Sequence, residues 1–272
     1  MSQTMDSPSH KAPRVRPWDA LMALLGLLRD PQDTTQVFRL TDALRGSSGV
    51  KPYQRFRNSP VGARVIAEQR HLIRTLADRA ALAKLPEDSL GQRYLAFMAE
   101  ENLTAEGLAE ISSGTLDSLA NREEGAKIFA MRMRDMHDLY HVLTGYGRDE
   151  LGEICVLAFS YPQQKIRSFA VIAFLGKLRI GQLLRQSKIN LTGGVNKAVR
   201  EAARHGAQAA WLPGEDLEAL LAENIDVLRA RLNIAPPTRY QALLKQVAAR
   251  TGTKLVNFNT LSEQLAARAS SN

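Results

Sequence analysis

The feature that most constrains the fold is the spacing of apolar residues, which recur three and four positions apart along most of the chain. In the first such segment they are Leu21, Leu24, Leu25 and Leu28. This spacing places the residues on one face of an α-helix, whereas a half-buried strand alternates every second residue. It predicts an all-α fold, with helices near 61–84, 88–101, 104–112, 123–144, 165–186, 195–206, 215–222 and 224–232. Between the second helix and the next, residues 47–60 are predicted to form a loop.

The domain organisation follows from length and composition. A chain of 272 residues with 44% hydrophobic content buries a substantial core, and we expect a single multi-helix domain over 18–237. Residues 1–17 are polar and rich in Pro and Ser, which predicts a disordered arm. Residues 238–272 are predicted to be a C-terminal extension that has a helical pattern and then a short run, at 254–258, compatible with extended structure. The longest apolar run, Phe169 to Leu175, is too short to span a bilayer.

Charge and cysteine content restrict the partners. The formal net charge of +8 attracts nucleic acid, acidic lipid headgroups or acidic proteins. Aromatic residues make up only 6% of the chain and no nucleic-acid-binding motif is present, so no nucleic-acid partner is predicted. The single cysteine, Cys155, cannot form an intrachain disulfide and lies in an apolar stretch, where we expect it to be a buried hydrophobe.

One segment carries residues suited to metal chemistry. His137 and His141 are four residues apart, about one helical turn, so both imidazoles lie on one helix face. The glycine-rich turn that follows, at 145–147, predicts an αα-hairpin, and Glu153 lies on its returning arm. An antiparallel neighbour would bring the Glu153 carboxylate against the histidine pair and form a mixed nitrogen and oxygen site. Asp138 borders the same face and can ligate, orient a histidine or move a proton.

Three other interpretations compete with a metal site of this kind. The histidines can be solvated on a polar helix, although apolar neighbours indicate partial burial. Zincin proteases place Glu rather than Asp after the first histidine. Phosphohydrolases of the His-Asp class need a separate upstream histidine, for which His71 is the candidate, but that reading leaves Glu153 unexplained.

The motif His-Asp-x-x-His, followed by eleven residues and Glu, closely resembles the hallmark of the coenzyme Q (ubiquinone) biosynthesis protein 4 family. The likeness extends to Arg134-Asp135 before the motif, where the family more often has Arg-Glu, and to Leu151-Gly152-Glu153 after it. It also covers the stretches at 27–34 and 228–237, so that residues 18–237 look like one family domain.

The resemblance implies a ligand set, a location and a function. The implied metal ligands are His137, Asp138, His141 and Glu153, with zinc as the usual ion, in a helical protein peripheral to the membrane. The implied activity is removal of the ring carboxyl at C1 of a polyprenylated hydroxybenzoate, with or without replacement by hydroxyl. The alternative role is a lipid-binding scaffold that organises other ubiquinone-synthesis proteins. The implied location is the bacterial cytoplasm or the mitochondrial matrix side of the inner membrane.

The proposed chemistry assigns further roles. Asp138 is the candidate proton donor at C1, and Arg134 either meets the substrate carboxylate or pairs with Asp135. Zinc cannot transfer electrons, so an oxidative reaction needs iron or manganese, or direct reaction of the ring with oxygen. The isoprenoid tail of the substrate requires an apolar groove. The 165–186 segment is predicted to be either a membrane-binding surface or a core helix. Its flanking basic residues include Lys177, Arg179 and Arg185.

Overall fold

The structure, a computed structural model, describes residues 15–29, 34–44, 46, 48–100, 123–186 and 191–251. Within these ranges the secondary structure is helical, without a strand, and an isolated antiparallel bridge joins Ser89 to Asn224. The predicted all-α fold is therefore confirmed. None of the described helices is long and apolar enough to cross a membrane.

Fourteen α-helices are described, and a 3-10 turn, Leu212–Gly214, separates the eleventh from the twelfth. The helices are α1 Pro17–Arg29, α2 Thr34–Leu44, α3 Val50–Arg57, α4 Pro60–Ala67, α5 Leu72–Ala77, α6 Arg79–Leu82, α7 Leu90–Glu100, α8 Glu124–Thr144, α9 Glu150–Gln164, α10 Arg167–Gln186, α11 Thr192–Gln208, α12 Leu217–Leu220, α13 Ile225–Arg231 and α14 Thr238–Thr251.

The main core forms around α8 and α9. The 21-residue helix α8 contacts α3, α4, α5, α7, α9 and α13, while α9 packs against α10 and α11. A second, smaller cluster lies where α1 and α2 meet α10: Ala20, Ala23, Leu40 and Ala43 are buried there against Val171 and Ile172. The metal-ligand candidates therefore lie on the two helices that organise the larger core.

The predicted loop over 47–60 is wrong, because α3 occupies most of it. Its sequence is strongly polar, but Pro52 and Phe56, four residues apart, are both buried. The Phe56 ring lies 5.1 Å from that of Phe129 on α8. Packing against α8 therefore stabilises a helix that periodicity alone does not reveal.

The single helical stretch expected near 61–84 is instead three short helices, α4 to α6. Ser59 caps α4 through a hydrogen bond from the Gly62 amide, and Pro60 occupies its first turn. The stretch breaks at Gln69, which has a φ of 50°. Asp78 then starts α6 by accepting a hydrogen bond from the Ala81 amide. Local capping groups therefore divide one apolar pattern into three helices.

The segment after residue 237 belongs to the core as far as the structure describes it. Helix α14 packs against α11, and Tyr240, Leu243 and Val247 are buried in the main core. The predicted boundary at 237 stays a prediction. Most of the predicted N-terminal arm, the helix expected at 104–112 and the run at 254–258 lie outside the described residues.

Candidate metal centre

The two halves of the predicted site lie on consecutive helices joined by the short turn 145–149. Helix α8 ends at Thr144, and Gly145 follows in the left-handed conformation, with a φ of 75°. Asp149 then caps α9, accepting a hydrogen bond from the Gly152 amide at 3.1 Å. Glu153 is in the first turn of α9, so its carboxylate is close to the end of α8.

The structure brings three of the predicted ligands together. The Nε2 atoms of His137 and His141 are 3.3 Å apart. Glu153 Oε2 lies 3.2 Å from His137 Nε2 and 3.4 Å from His141 Nε2. His137, His141 and Glu153 thus form a triangle of two nitrogens and one oxygen, the cluster that we call the triad.

A backbone carbonyl orients His141. Its Nδ1 lies 3.0 Å from the Tyr146 carbonyl oxygen, which can only accept a hydrogen bond, so Nδ1 carries the proton and Nε2 offers a lone pair to the triad. The ring also stacks on Phe97, with centroids 5.5 Å apart and planes 23° from parallel. A histidine held in this way is arranged as metal-binding histidines usually are.

The charges around Glu153 favour its ionised form. Burial raises the pKa of its carboxyl group, but hydrogen bonds and charge from His137 and His141 outweigh burial and leave the pKa well below its usual value. Arg148 approaches the other carboxylate oxygen, with Nε 3.5 Å from Oε1. For His137, burial lowers the pKa. The negative charges of Glu153 and Asp138 raise it by more, so the net pKa is above the ordinary value.

The triad is open on one side. The His141 side chain is fully buried, whereas those of His137 and Glu153 are 37% and 32% exposed. A ligand arriving from solvent therefore meets His137 and Glu153 first, while His141 anchors the cluster to the core.

The donor set fits a small divalent cation. Two ligand atoms at tetrahedral angles, each about 2.0–2.1 Å from a zinc ion, lie about 3.3 Å from each other. The three edges of the triad are 3.2, 3.3 and 3.4 Å. Imidazole nitrogens with a carboxylate oxygen are also donors that divalent transition metals accept. The residues present therefore fit the implied metal.

Asp138 is not part of the triad. Its charge nevertheless contributes to the raised pKa of His137 and to that of Tyr94. Its assignment as a ligand or a proton donor stays a prediction.

Arg134 is placed in a structural ion pair. Its Nε and Nη2 donate to Oδ1 of the buried Asp135, at 2.8 and 2.5 Å. Asp135 in turn accepts a hydrogen bond from the Ile73 amide on α5. The Nη1 atom of Arg134 is buried and has no hydrogen-bond partner within the described residues. Arg134 was predicted either to pair with Asp135 or to contact the substrate carboxylate, and the structure shows the pairing with Asp135.

His71 lies at the N-cap position of α5, without a side-chain cap hydrogen bond, and is not part of the triad, which leaves the His-Asp phosphohydrolase interpretation without its upstream ligand. Several other residues that shape the site were not predicted from the sequence. Phe97, Tyr146 and Arg148 contact the triad. Tyr146 and Arg148 lie between the two halves of the motif, which is a usable signal, whereas Phe97 comes from a distant helix.

Comparison with known proteins agrees with the motif. The sequence profile of coenzyme Q (ubiquinone) biosynthesis protein Coq4 matches residues 19–238. The chain is 28% identical over 248 residues to the mitochondrial ubiquinone biosynthesis protein COQ4 homolog of Danio rerio, covering 90% of this chain and 86% of that protein. The Homo sapiens homolog is 29% identical over 188 residues, with 69% and 66% covered.

A solved structure shares the fold. It is the crystal structure of a protein assigned to ubiquinone biosynthesis in Nostoc punctiforme PCC 73102, which superimposes with a TM-score of 0.58 at 18% identity. The match covers 81% of this chain and 99% of that one. With the family profile matching most of its length, the chain belongs to the coenzyme Q (ubiquinone) biosynthesis protein Coq4 family.

Proposed function

We propose that this member of a ubiquinone biosynthesis family is a metal-dependent enzyme. Its reaction is removal of the C1 carboxyl group from a polyprenylated hydroxybenzoate at a membrane surface. The observation that carries the proposal is the triad of His137, His141 and Glu153, which has the dimensions of a cation site and is open to solvent on one side. A closed structural site would have four protein ligands and no open side.

The three triad residues are the proposed metal ligands. Asp138, the fourth ligand expected from the family, is proposed to be loosely bound or to lie outside the ligand shell, which leaves one coordination position open for the substrate. Zinc is the proposed ion, since the triad edges match a tetrahedral ligand set, and iron or manganese takes its place if the reaction is oxidative. When bound, the ion supplies Lewis acidity that stabilises negative charge on a substrate oxygen.

A residue of the chain itself supplies the proton that the reaction needs at C1. When the bond between C1 and the carboxyl carbon breaks, carbon dioxide leaves and the electron pair stays on the ring. In the non-oxidative reaction a proton must then arrive at C1, and Asp138, near His137, is the proposed donor. In the oxidative version dioxygen accepts the two electrons and is reduced to hydrogen peroxide, while water supplies the hydroxyl group that takes the place of the carboxyl.

Arg134 is the second proposed catalytic residue. Two of its nitrogens are engaged by Asp135, so only Nη1 remains for a substrate carboxylate. Because that atom is buried, the substrate carboxylate would have to reach it below the protein surface. Arg134 is therefore the weaker of the two catalytic assignments.

Helix α10 supports the proposed seat on the membrane. Four of its exposed residues, Arg167, Phe174, Leu178 and Arg185, are spaced by seven, four and seven positions, which places them in one stripe. The helix has four basic residues and no acidic one. Lys177 Nζ lies 4.7 Å from the Phe174 ring centroid, so cation and aromatic side chain share this face. Such a stripe suits anionic headgroups and the outer part of the acyl layer.

The proposed location and partners follow from the family. The Danio rerio and Homo sapiens relatives are described as mitochondrial. We propose the matrix side of the mitochondrial inner membrane, or the corresponding cytoplasmic face in a bacterium. The proposed partners are an isoprenoid substrate or lipid and other ubiquinone biosynthesis proteins.

A non-catalytic scaffold is the second candidate. The observation that favours it is the large exposed apolar surface of α1, where Trp18 is 74% and Met22 59% exposed while Ala20 and Ala23 are buried. A helix that buries its small residues and exposes its large ones suits binding to a lipid or protein partner. In this case the metal would hold α8 and α9 together rather than act on substrate.

One experiment distinguishes the two functions. The purified protein is assayed for bound metal and incubated with a prenylated 4-hydroxybenzoate, with and without oxygen, while carbon dioxide and ring products are measured. Glu153→Gln is compared with Glu150→Gln, which removes the same charge from the same turn of α9 but lies outside the triad. We expect turnover by the wild type and by Glu150→Gln, and none by Glu153→Gln.

The fold of the variants provides the second readout. If the metal is catalytic, Glu153→Gln remains folded and binds lipid without forming product. A Glu153→Gln protein that unfolds or releases its partners, together with a wild type that forms no carbon dioxide, supports the scaffold and refutes the enzyme.

A further inference from the structure

The turn between α8 and α9 determines whether the triad can form. His141 lies four residues before Gly145 at one end of the turn, and Glu153 four residues after Asp149 at the other. His141 is also tied to the turn directly, through the Tyr146 carbonyl. A change in the turn would therefore move the carboxylate relative to both imidazoles.

The far end of the turn is fixed by Asp149 and by close packing. Asp149 Oδ1 accepts a hydrogen bond from the Gly152 amide at 3.1 Å, and its carbonyl accepts one from the Glu153 amide at 2.9 Å. A Cβ at Gly152 would lie 2.0 Å from the Gly147 carbonyl oxygen, so the turn packs directly on the start of α9. The ligand residue Glu153 is thus one hydrogen bond away from Asp149.

A side chain from α14 bridges this turn. The Tyr240 hydroxyl donates to Oδ2 of the buried Asp149 and accepts a hydrogen bond from the Gly147 amide at 2.9 Å. Its ring meets that of Tyr146 edge-on, with centroids 5.3 Å apart. One phenol therefore contacts three of the five residues between the two ligand helices.

Tyr240 is itself held from the other side. The Glu201 carboxylate on α11 accepts hydrogen bonds from Thr238 Oγ1 at 2.9 Å and from the Arg239 amide at 2.8 Å, which fixes the start of α14. Leu243 and Val247 anchor the rest of the helix in the core. The hydroxyl is consequently positioned by the fold and not by the turn that it contacts.

We propose that Tyr240 is a positioning residue for the metal site: its hydroxyl holds the 145–149 turn so that Glu153 faces His137 and His141. Tyr240 lies just beyond the family match, which ends at residue 238. The inference rests on metal binding at the triad, one part of the proposed function, and does not require decarboxylation.

The test is the affinity of the metal-depleted protein for Zn²⁺, measured by competition with a chromophoric chelator. Tyr240→Phe keeps the ring but leaves the Gly147 amide and the buried Asp149 carboxylate without the hydroxyl. Outer groups that orient metal ligands typically change affinity about 10- to 100-fold when removed, and we expect a loss in that range. In the metal-free variant, hydrogen exchange of the Gly147 amide should also be faster.

Leu40→Ala is the control for general stability. Leu40 is as buried as Tyr240, but it lies in the smaller cluster formed by α1, α2 and α10, which includes no residue of the triad or of the turn. We expect it to lower the melting temperature and to leave the Zn²⁺ affinity unchanged. Equal loss of affinity in both variants would mean that Tyr240 acts only through general stability, which overturns the proposal.

Two further outcomes are decisive. Wild-type Zn²⁺ affinity in Tyr240→Phe overturns the proposal, and if that variant does not fold, Asp149→Asn tests the same link with the same expected loss. A wild-type protein that binds no Zn²⁺ overturns the inference together with the metal site. Intact binding without turnover overturns only the decarboxylase.

Discussion

Replacing Glu153 by Gln tests the proposed metal site most directly. The substitution keeps the size of the side chain and one carbonyl oxygen but removes the negative charge. In the native protein Oε2 lies 3.2 and 3.4 Å from the two imidazoles, and Oε1 lies 3.5 Å from Arg148 Nε. No other side chain joins these two histidines in a cluster of metal-ligand type within the described residues.

The expected loss of affinity can be worked from the number of ligands. Zinc binding to a four-ligand protein site has an apparent free energy of about 10–16 kcal/mol, which averages about 2.5–4 kcal/mol per ligand. At about 1.4 kcal/mol per tenfold change, losing one ligand weakens binding roughly 60- to 700-fold. Because the Glu153 side chain is 32% exposed and water can replace it, we expect the lower part of this range, about 100-fold.

The fold should tolerate the same substitution. Partly exposed ion pairs contribute about 0–1 kcal/mol, so the metal-free variant should unfold within a few degrees of the metal-free wild type. Zn²⁺ should raise the melting temperature of the wild type and of Glu150→Gln, but that of Glu153→Gln only at far higher concentration.

The assay combines chelator competition with thermal unfolding followed by circular dichroism. If Glu153→Gln and Glu150→Gln bind Zn²⁺ equally well, Glu153 is not a ligand and the triad does not represent a cation site.

Four other predictions address separate parts of the argument. Asp138→Asn should abolish turnover but retain bound metal, as measured by metal analysis beside product formation; loss of both would make Asp138 a ligand instead of a proton donor. Replacing Lys177 and Arg185 by Glu should weaken sedimentation with phosphatidylserine vesicles more than replacing Lys197 and Arg200 on α11 by Glu. Each double substitution lowers the net charge from +8 to +4, so total charge is matched. Equal effects would exclude α10 as the membrane-binding surface. Glu218→Gln removes the carboxylate that pairs with the buried Arg132 and should cost about 3–5 kcal/mol at neutral pH. Burial raises the pKa of Glu218, but Arg132 lowers it by more, so the net pKa is below the ordinary value. The pair therefore stabilises the fold above the ordinary carboxyl pKa and loses this effect as pH falls through the lowered pKa, so the difference in unfolding free energy between variant and wild type, measured in urea, should narrow in acid. Gly206→Ala should destabilise strongly in thermal unfolding because its Cβ would lie 2.1 Å from the Phe159 carbonyl oxygen, whereas Gly193→Ala, with nothing within 4 Å, should be neutral or stabilising.

The long helices and the triad were predictable from local sequence. The apolar spacing before and after residue 145 predicts α8 and α9, and the glycines of the turn mark the break between them. His137 and His141 share a face because they are one turn apart. Glu153 required one further step, the expectation that α9 returns beside α8.

Other features depend on contacts that the sequence does not display. Helix α3 is polar and was predicted to be a loop, but its buried Phe56 packs on Phe129 of a helix more than seventy residues later. The division of the site into a triad and a separate Asp138 depends on where α9 lies against α8. Tyr240 is almost ninety residues beyond Glu153, and its role depends on how α14 packs against α11.

The position of the triad relative to the core indicates whether a bound metal would be structural or reactive. Leu139, Tyr140 and Leu143 on α8, and Cys155 and Phe159 on α9, are buried and join the two helices to the common core without the triad. Tyr240 and Arg229 add hydrogen bonds to the turn and to the end of α8. Since side chains already hold these helices together, the fold should form without a cation at the partly exposed edge. This arrangement favours a reactive metal over a structural one, and a metal-depleted protein that is unfolded at 25 °C would contradict it.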